Sequence, residues 1–248
     1  MKQFLFAVAG LAALNVSSAS AADLPARLYT KAPPPVITWN GFYGGIQGGG
    51  GWGQSDETFF GASNDPPDFA GTQTYDISGG FAGGVLGYNW QSGSLVFGIE
   101  GDYHWADING RSAEINAGFG DTYFTKLRGF GDIKGRLGFS TGDALWFVSG
   151  GAAVGDIQHR YDPAFFPALG VVQNDTRWGW TIGLGAEYMF APNWSAKIEY
   201  NYIDLGKSTI QFDPTDPLNR SEFRDTLHTV KAGINYHFNW SSPVVARY

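Results

Sequence analysis

The stretch from Arg177 to Leu205 constrains this chain more than any other. It reads RWGWTIGLGAEYMF, then a break of Ala191-Pro192-Asn193, then WSAKIEYNYIDL. The even positions Trp178, Trp180, Ile182, Leu184, Ala186, Tyr188 and Phe190 are all apolar or aromatic. Past the break, Trp194, Ala196, Ile198, Tyr200 and Tyr202 continue the series. The odd positions are mostly small, polar or charged, with Met189 and Ile203 as exceptions near the strand ends. A period of two marks a strand with two unlike faces, and two such strands across a tight turn predict a hairpin.

The aromatics say which solvent the apolar face meets. Trp178, Trp180, Tyr200 and Tyr202 collect at one end of the hairpin, and Tyr188, Phe190 and Trp194 at the turn; smaller residues hold the middle. Aromatic rims around an aliphatic band predict a lipid-facing girdle on strands that cross a bilayer. Each strand exceeds the roughly 9–11 residues that a tilted crossing needs. The alternative is an amphipathic hairpin in a soluble sandwich or lipocalin.

The N-terminus reads as an export signal over residues 1–21. Lys2 supplies the charge, Phe4 to Val16 the apolar run, and Ala19-Ser20-Ala21 the small-residue cleavage motif. A proline-rich periplasmic leader is expected over 22–39 and a short extension over 241–248. Beyond Ala21 no run of about 18 apolar residues occurs, so a spanning structure has to be a closed barrel. The chain has no Cys, which removes disulfides, thiolate metal sites and a Cys nucleophile. A net charge of −7 without a basic cluster argues against nucleic acid as a partner.

Six further strands are predicted, over 40–53, 75–90, 95–106, 122–139, 144–155 and 226–240. With the hairpin they make an all-β, eight-stranded, antiparallel, up-and-down transmembrane barrel over residues 40–240. The glycine run at the start of the first strand lacks the Gly-Lys-Ser/Thr ending of a phosphate loop. It reads instead as small residues that leave room for bulky lumen groups. Long segments at 54–74, 107–121, 156–175 and 206–225 alternate with short turns, as in barrels with extended external loops and tight periplasmic turns. In the fourth strand Leu127, Ile133, Leu137 and Phe139 face outward by parity, and Lys126, Arg128, Asp132, Lys134 and Arg136 face inward. Glu100, Asp102, Glu187, Lys197, Glu199 and Lys231 face inward on other strands. Buried charges need partners, so these residues are expected to form one ionic network filling a narrow lumen. Eight strands enclose little more than their own side chains. The facing of the fifth strand is not set by its pattern, since both parities are apolar.

Several motifs resemble a known family. They are AADLPARLYTKAPPP running into WNGFYGGIQGG, GGVLGYNWQ at Gly83 to Gln91, GRLGF at Gly135 to Phe139, GGAAVG at Gly150 to Gly155, and VKAGINYHF at Val230 to Phe238. Their order and spacing are similar to the small outer-membrane barrels of alphaproteobacteria, surface antigens related to OmpA- and OmpX-type barrels. The resemblance implies a structural and surface protein of the bacterial outer membrane. It also implies contact with outer-membrane lipid and lipopolysaccharide, recognition by the outer-membrane assembly machinery, and host or surface ligands met through the long loops. Such chains commonly end on an aromatic assembly signal, here Phe238 or Tyr248. Some relatives are porin-like or implicated in haem binding, so a small-solute pore and a haem-binding surface protein stand as alternatives.

Catalysis and cofactors find little support. Asp102 and His104 share a face near a predicted rim and would suit a membrane-embedded hydrolase. The four histidines lie apart without metal-ligand spacing. His159 beside Tyr161, in a predicted surface loop, is the candidate haem ligand. No cofactor and no enzymatic activity are expected. The Asn-Trp-Ser triplets at Asn193 and Asn239 abut predicted membrane strands and are discounted as glycosylation sites.

Overall fold

The computed structural model describes residues 37–60, 71–112, 122–162, 170–211 and 215–238. The expected export signal, most of the leader, the C-terminal extension and Tyr248 lie outside these residues. Eight strands follow one another: β1 Gly41–Phe59, β2 Gly71–Ser92, β3 Leu95–Arg111, β4 Thr122–Ser140, β5 Ala144–Asp162, β6 Val171–Ala191, β7 Trp194–Gln211 and β8 Arg220–Phe238. Each pairs antiparallel with the next, and β8 returns to β1, closing the barrel. Closure is what lipid demands, since it leaves no edge with unpaired backbone groups. The turns after β2, β4 and β6 are short. Each carries a residue in the left-handed region: Gly93 (φ 60°), Gly142 (φ 83°) and Asn193 (φ 68°). The short turns and the start of β1 share one end, the periplasmic end in this architecture.

Outward on β6 and β7, Trp178, Trp180, Tyr188, Phe190 and Trp194 are exposed, and Tyr200 and Tyr202 half-buried, around an exposed middle of Ile182, Leu184 and Ile198. On β5, Trp146 and Val148 face out while Leu145, Phe147, Ser149 and Ala153 face in, which settles the facing left open by its pattern.

Most strands run further than the sequence predicts. β1 continues to Phe59, β2 begins at Gly71, β3 reaches Arg111, β5 reaches Asp162 and β8 begins at Arg220. The added segments stand beyond the aromatic rim. Their outward residues are polar, as with Gln54, Asp56, Thr72, Thr74, Asp107, Asn109 and Arg160. With water on the outside, the apolar alternation that marks a membrane strand disappears while the ladder continues.

Two irregularities change the facing. The register of β4 shifts between Leu127 and Gly129, and that of β7 between Asp204 and Lys207. One extra residue reverses the parity beyond it. Lys126 and Arg128 therefore lie outside the barrel, with side chains 47% and 43% exposed, paired to Asp107 and Asp156. Their expected inward place, and the outward place expected of Leu127, which is 2% exposed, are corrected by this bulge.

Ile198 is 56% exposed in the middle of the apolar band. Ile198→Arg is expected to cost about 2–4 kcal/mol as a mid-bilayer charge, read as a lowered urea midpoint in lipid vesicles. An unchanged midpoint would contradict the facing of β7.

Candidate functional site: a filled lumen

Inward side chains form four stacked layers. At the periplasmic mouth lies an apolar cluster of Trp39, Val96, Leu145, Phe147 and Met189. Trp39 is 0% exposed. Its backbone N–H donates to Gln91 Oε1 at 2.7 Å and its indole N–H to the Gly142 carbonyl at 3.1 Å, so it bridges two turns. The sequence reading placed this residue in the leader. The structure makes it the cap of the barrel.

Above the cap lies the ionic layer. Lys134 on β4 reaches Glu100 at 3.3 Å, Asp102 at 3.3 Å, Asp132 at 3.2 Å and Glu199 at 3.0 Å. Lys197 binds Glu100 at 2.8 Å and lies 3.4 Å from Glu199. Lys231 joins Asp102 at 2.8 Å to Asp132 at 3.2 Å, and Arg136 joins Glu100 at 3.0 Å to Glu187 at 2.8 Å. These nine groups come from β3, β4, β6, β7 and β8, and all are buried. Neutral donors complete the layer. The Tyr43 hydroxyl donates to Glu100 at 2.7 Å, Gln47 to Asp102 at 3.1 Å, Ser149 to Glu199 at 2.9 Å, and Asn235 to Glu187 at 2.7 Å. The sequence reading left these four out of the network, although each shares the inward parity of its strand. Glycines open the space required. A Cβ at Gly98 would lie 2.8 Å from Arg136 Cγ, and one at Gly87 would meet the Tyr43 ring.

The third layer is apolar, with Phe81, Ile108, Leu127, Phe130, Ile157 and Leu227 packed together. The fourth, near the outer mouth, is polar. Arg177 binds Asp225 and donates to the Phe223 carbonyl at 3.1 Å. Thr125 lies between Tyr75 (2.6 Å) and His159 (2.9 Å). The sequence reading assigned Asp225 and His159 to loops, so this layer was not anticipated.

The geometry bears on three chemical alternatives. Asp102 and His104 are not at a rim but midway down the barrel, with side chains 0% exposed. His159 lies in β5, bonded through Nδ1, and the cavity beside it holds about 10 Å³, room for about one water and not for a porphyrin. A Ser-His contact does occur. Ser195 lies 2.8 Å from His237 Nε2 and 2.6 Å from Glu187. Glu187 approaches that same nitrogen at 3.3 Å, so it does not orient the ring from the far side as a catalytic triad requires.

A closed antiparallel barrel of eight strands, aromatic at the rims and aliphatic between them, is the architecture of an outer-membrane β-barrel. The family model described as "Outer membrane protein beta-barrel domain" matches residues 6–238, and the chain belongs to that family. It is 33% identical over 240 residues to the 31 kDa outer-membrane immunogenic protein of Brucella melitensis biotype 1, covering 93% of this chain and 98% of the relative. It is 29% identical to the 22 kDa outer membrane protein of Rhizobium leguminosarum bv. viciae, covering 84% and 85%. Among solved structures, OprG of Pseudomonas aeruginosa matches with a TM-score of 0.47 at 11% identity, covering 80% of this chain and 97% of that one. The protein is a component of the bacterial outer membrane.

Lys134→Met is expected to cost roughly 3–5 kcal/mol, because it strips four buried carboxylates of a shared cation. Arg128→Ala, whose ion pair is exposed, is expected to cost at most about 1 kcal/mol. Urea unfolding in vesicles compares them; equal losses would contradict the separation of inner and outer charges.

Proposed function

We propose that this protein serves the outer membrane as a structural and surface-presenting barrel, with no transported solute and no reaction of its own. The observation that carries the reading is the filled lumen. An apolar cap, an ionic layer, an apolar layer and a second polar layer follow one another along the axis. In this reading Glu100, Asp102, Asp132, Lys134, Arg136, Glu187, Lys197, Glu199 and Lys231 act as internal cross-links between strands. The girdle of Trp178, Trp180, Tyr188, Phe190, Trp194, Tyr200 and Tyr202 meets lipid and lipopolysaccharide. Phe238, exposed on the outer face at the end of β8, is the aromatic offered to the assembly machinery. The Brucella relatives are named immunogenic, and surface display follows for this chain on the same reading. Host or surface ligands would then meet the segments that join the strands at the outer end.

Planar-bilayer recording of the purified protein is expected to give no steady single-channel current. A stable open level for the wild type would overturn the reading in favour of a small-solute pore.

A further inference from the structure

Beyond the membrane rim the barrel buries a carboxylic acid that has no counter-ion among the described residues. Glu57 points inward from β1, two residues before the strand ends, and is 1% exposed. The Ser221 hydroxyl of β8 donates to Glu57 Oε1 at 2.9 Å, while Oε2 is buried without a hydrogen-bond partner. Burial and that single hydroxyl act on its carboxyl group; no cation among the described residues contributes.

The neighbouring charges are committed elsewhere. On β8, Phe223 stands opposite Glu57; Asp225 is held by Arg177 of β6, with His159 of β5 3.7 Å away. Glu222 and Arg224 turn outward, to Lys207 at 3.7 Å and Asp204 at 2.6 Å. On β2, Gln73 stands opposite Glu57 with its Nε2 buried and unpartnered, Tyr75 is bonded to Thr125, and Asp76 faces out toward Gln54. On β1 itself, Asp56 faces out and accepts from Thr74 at 2.6 Å. Burial raises Tyr75 to about 12 and pushes His159 below its ordinary 6.5, so both are uncharged near neutral pH.

An ionised carboxylate without a partner is not tolerated in such a place. Burial raises Glu57 from its ordinary 4.5 to about 7. The protonated acid fits the closed strands, and the ionised one has to reach water. Water is near, because the outward faces of Gln54, Asp56, Thr58, Thr72 and Thr74 stand above the lipid band. Strand ends open at lower free energy than the body of a sheet. Beneath them Ile77, Ile108 and Leu227 pack into an apolar floor that keeps the opening local.

The geometry points to a proton-operated latch: the outer ends of β1, β2 and β8 close around uncharged Glu57 in acid surroundings and part when it ionises. The acid binds its proton more tightly in the closed barrel than in the open one. Its contribution to closure is complete below the ordinary pKa, declines as pH rises and is gone above the folded value.

Amide hydrogen exchange on the full chain in lipid nanodiscs, from about pH 5 to about pH 8 and corrected for intrinsic rates, tests this. Protection of Ser55–Phe59 and Ser221–Asp225 is expected to fall about tenfold per pH unit, roughly 100-fold in all, and to level off above about pH 7. Protection of Gly44–Gly50 in the membrane band is expected to stay constant. Glu57→Gln should abolish the slope, and so should Gln73→Lys, which sets a cation opposite the acid. A flat wild-type profile, or a slope that survives in either variant, overturns the latch. If Glu57→Gln fails to fold, the wild-type profile and Gln73→Lys decide alone.

Discussion

A charge taken out of water has to meet its opposite, and the interior of this barrel is organised by that requirement. Lys134 is the node, since four carboxylates from β3, β4 and β7 converge on it. Two of the four, Asp102 and Asp132, are shared with Lys231, and Glu100 is shared with Lys197 and Arg136. None of the four cations Lys134, Arg136, Lys197 and Lys231 serves a single acid. The layer thereby ties strands that are distant around the ring as well as those that are ladder neighbours. Such a network is not an efficient source of stability compared with an apolar core, because desolvation offsets much of the attraction. What it supplies is intolerance of error. A strand slipped by one residue would put a lysine into lipid and leave carboxylates alone in the lumen.

The same constraint accounts for the layers around it. Charges paired this closely need water kept away from both ends, and apolar clusters lie on each side: Trp39 with Leu145 and Phe147 below, Phe130 with Ile108 and Leu227 above. The arrangement is therefore an ionic layer between two hydrophobic seals. The outer polar layer sits past the upper seal and obeys the rule less strictly. There Asp225 has its arginine while Glu57 has only a hydroxyl.

Much of this was legible in the chain. On β6 and β7 the alternation is so regular that parity alone separates Trp180 and Ile182 from Glu187, and Ile198 from Glu199. It failed where the two environments changed. Inside the bilayer the outer face is apolar and the lumen polar, so each residue declares its side. Above the rim the outer face is polar while on β4 the lumen turns apolar around Leu127, so Lys126 and Arg128 looked like a continuation of Lys134 and Arg136. A bulge leaves no mark in a binary pattern when the two faces exchange character at the same place. The loss of an apolar outer face made the outer parts of β1, β2, β3, β5 and β8 look like loops. On β5 the ambiguity had the opposite cause, since Leu145 and Phe147 line the lower seal and Ala153 and Ile157 the upper, so both faces are apolar. The particular partners of Lys134 were not readable, because they depend on how far each strand is displaced along its neighbours.

The bulges at Arg128 and at Asp204 to Lys207 divide the molecule in a way that bears on its variation. Inside and outside are reassigned at these points, so on β4 and β7 the part above need not keep step with the part below. Insertion of one residue beneath a bulge would invert everything as far as that point; insertion at the bulge would not reach the membrane portion at all. On β4 and β7 the lower part can thus stay fixed under lipid selection while the part above the bulge is lengthened or re-patterned.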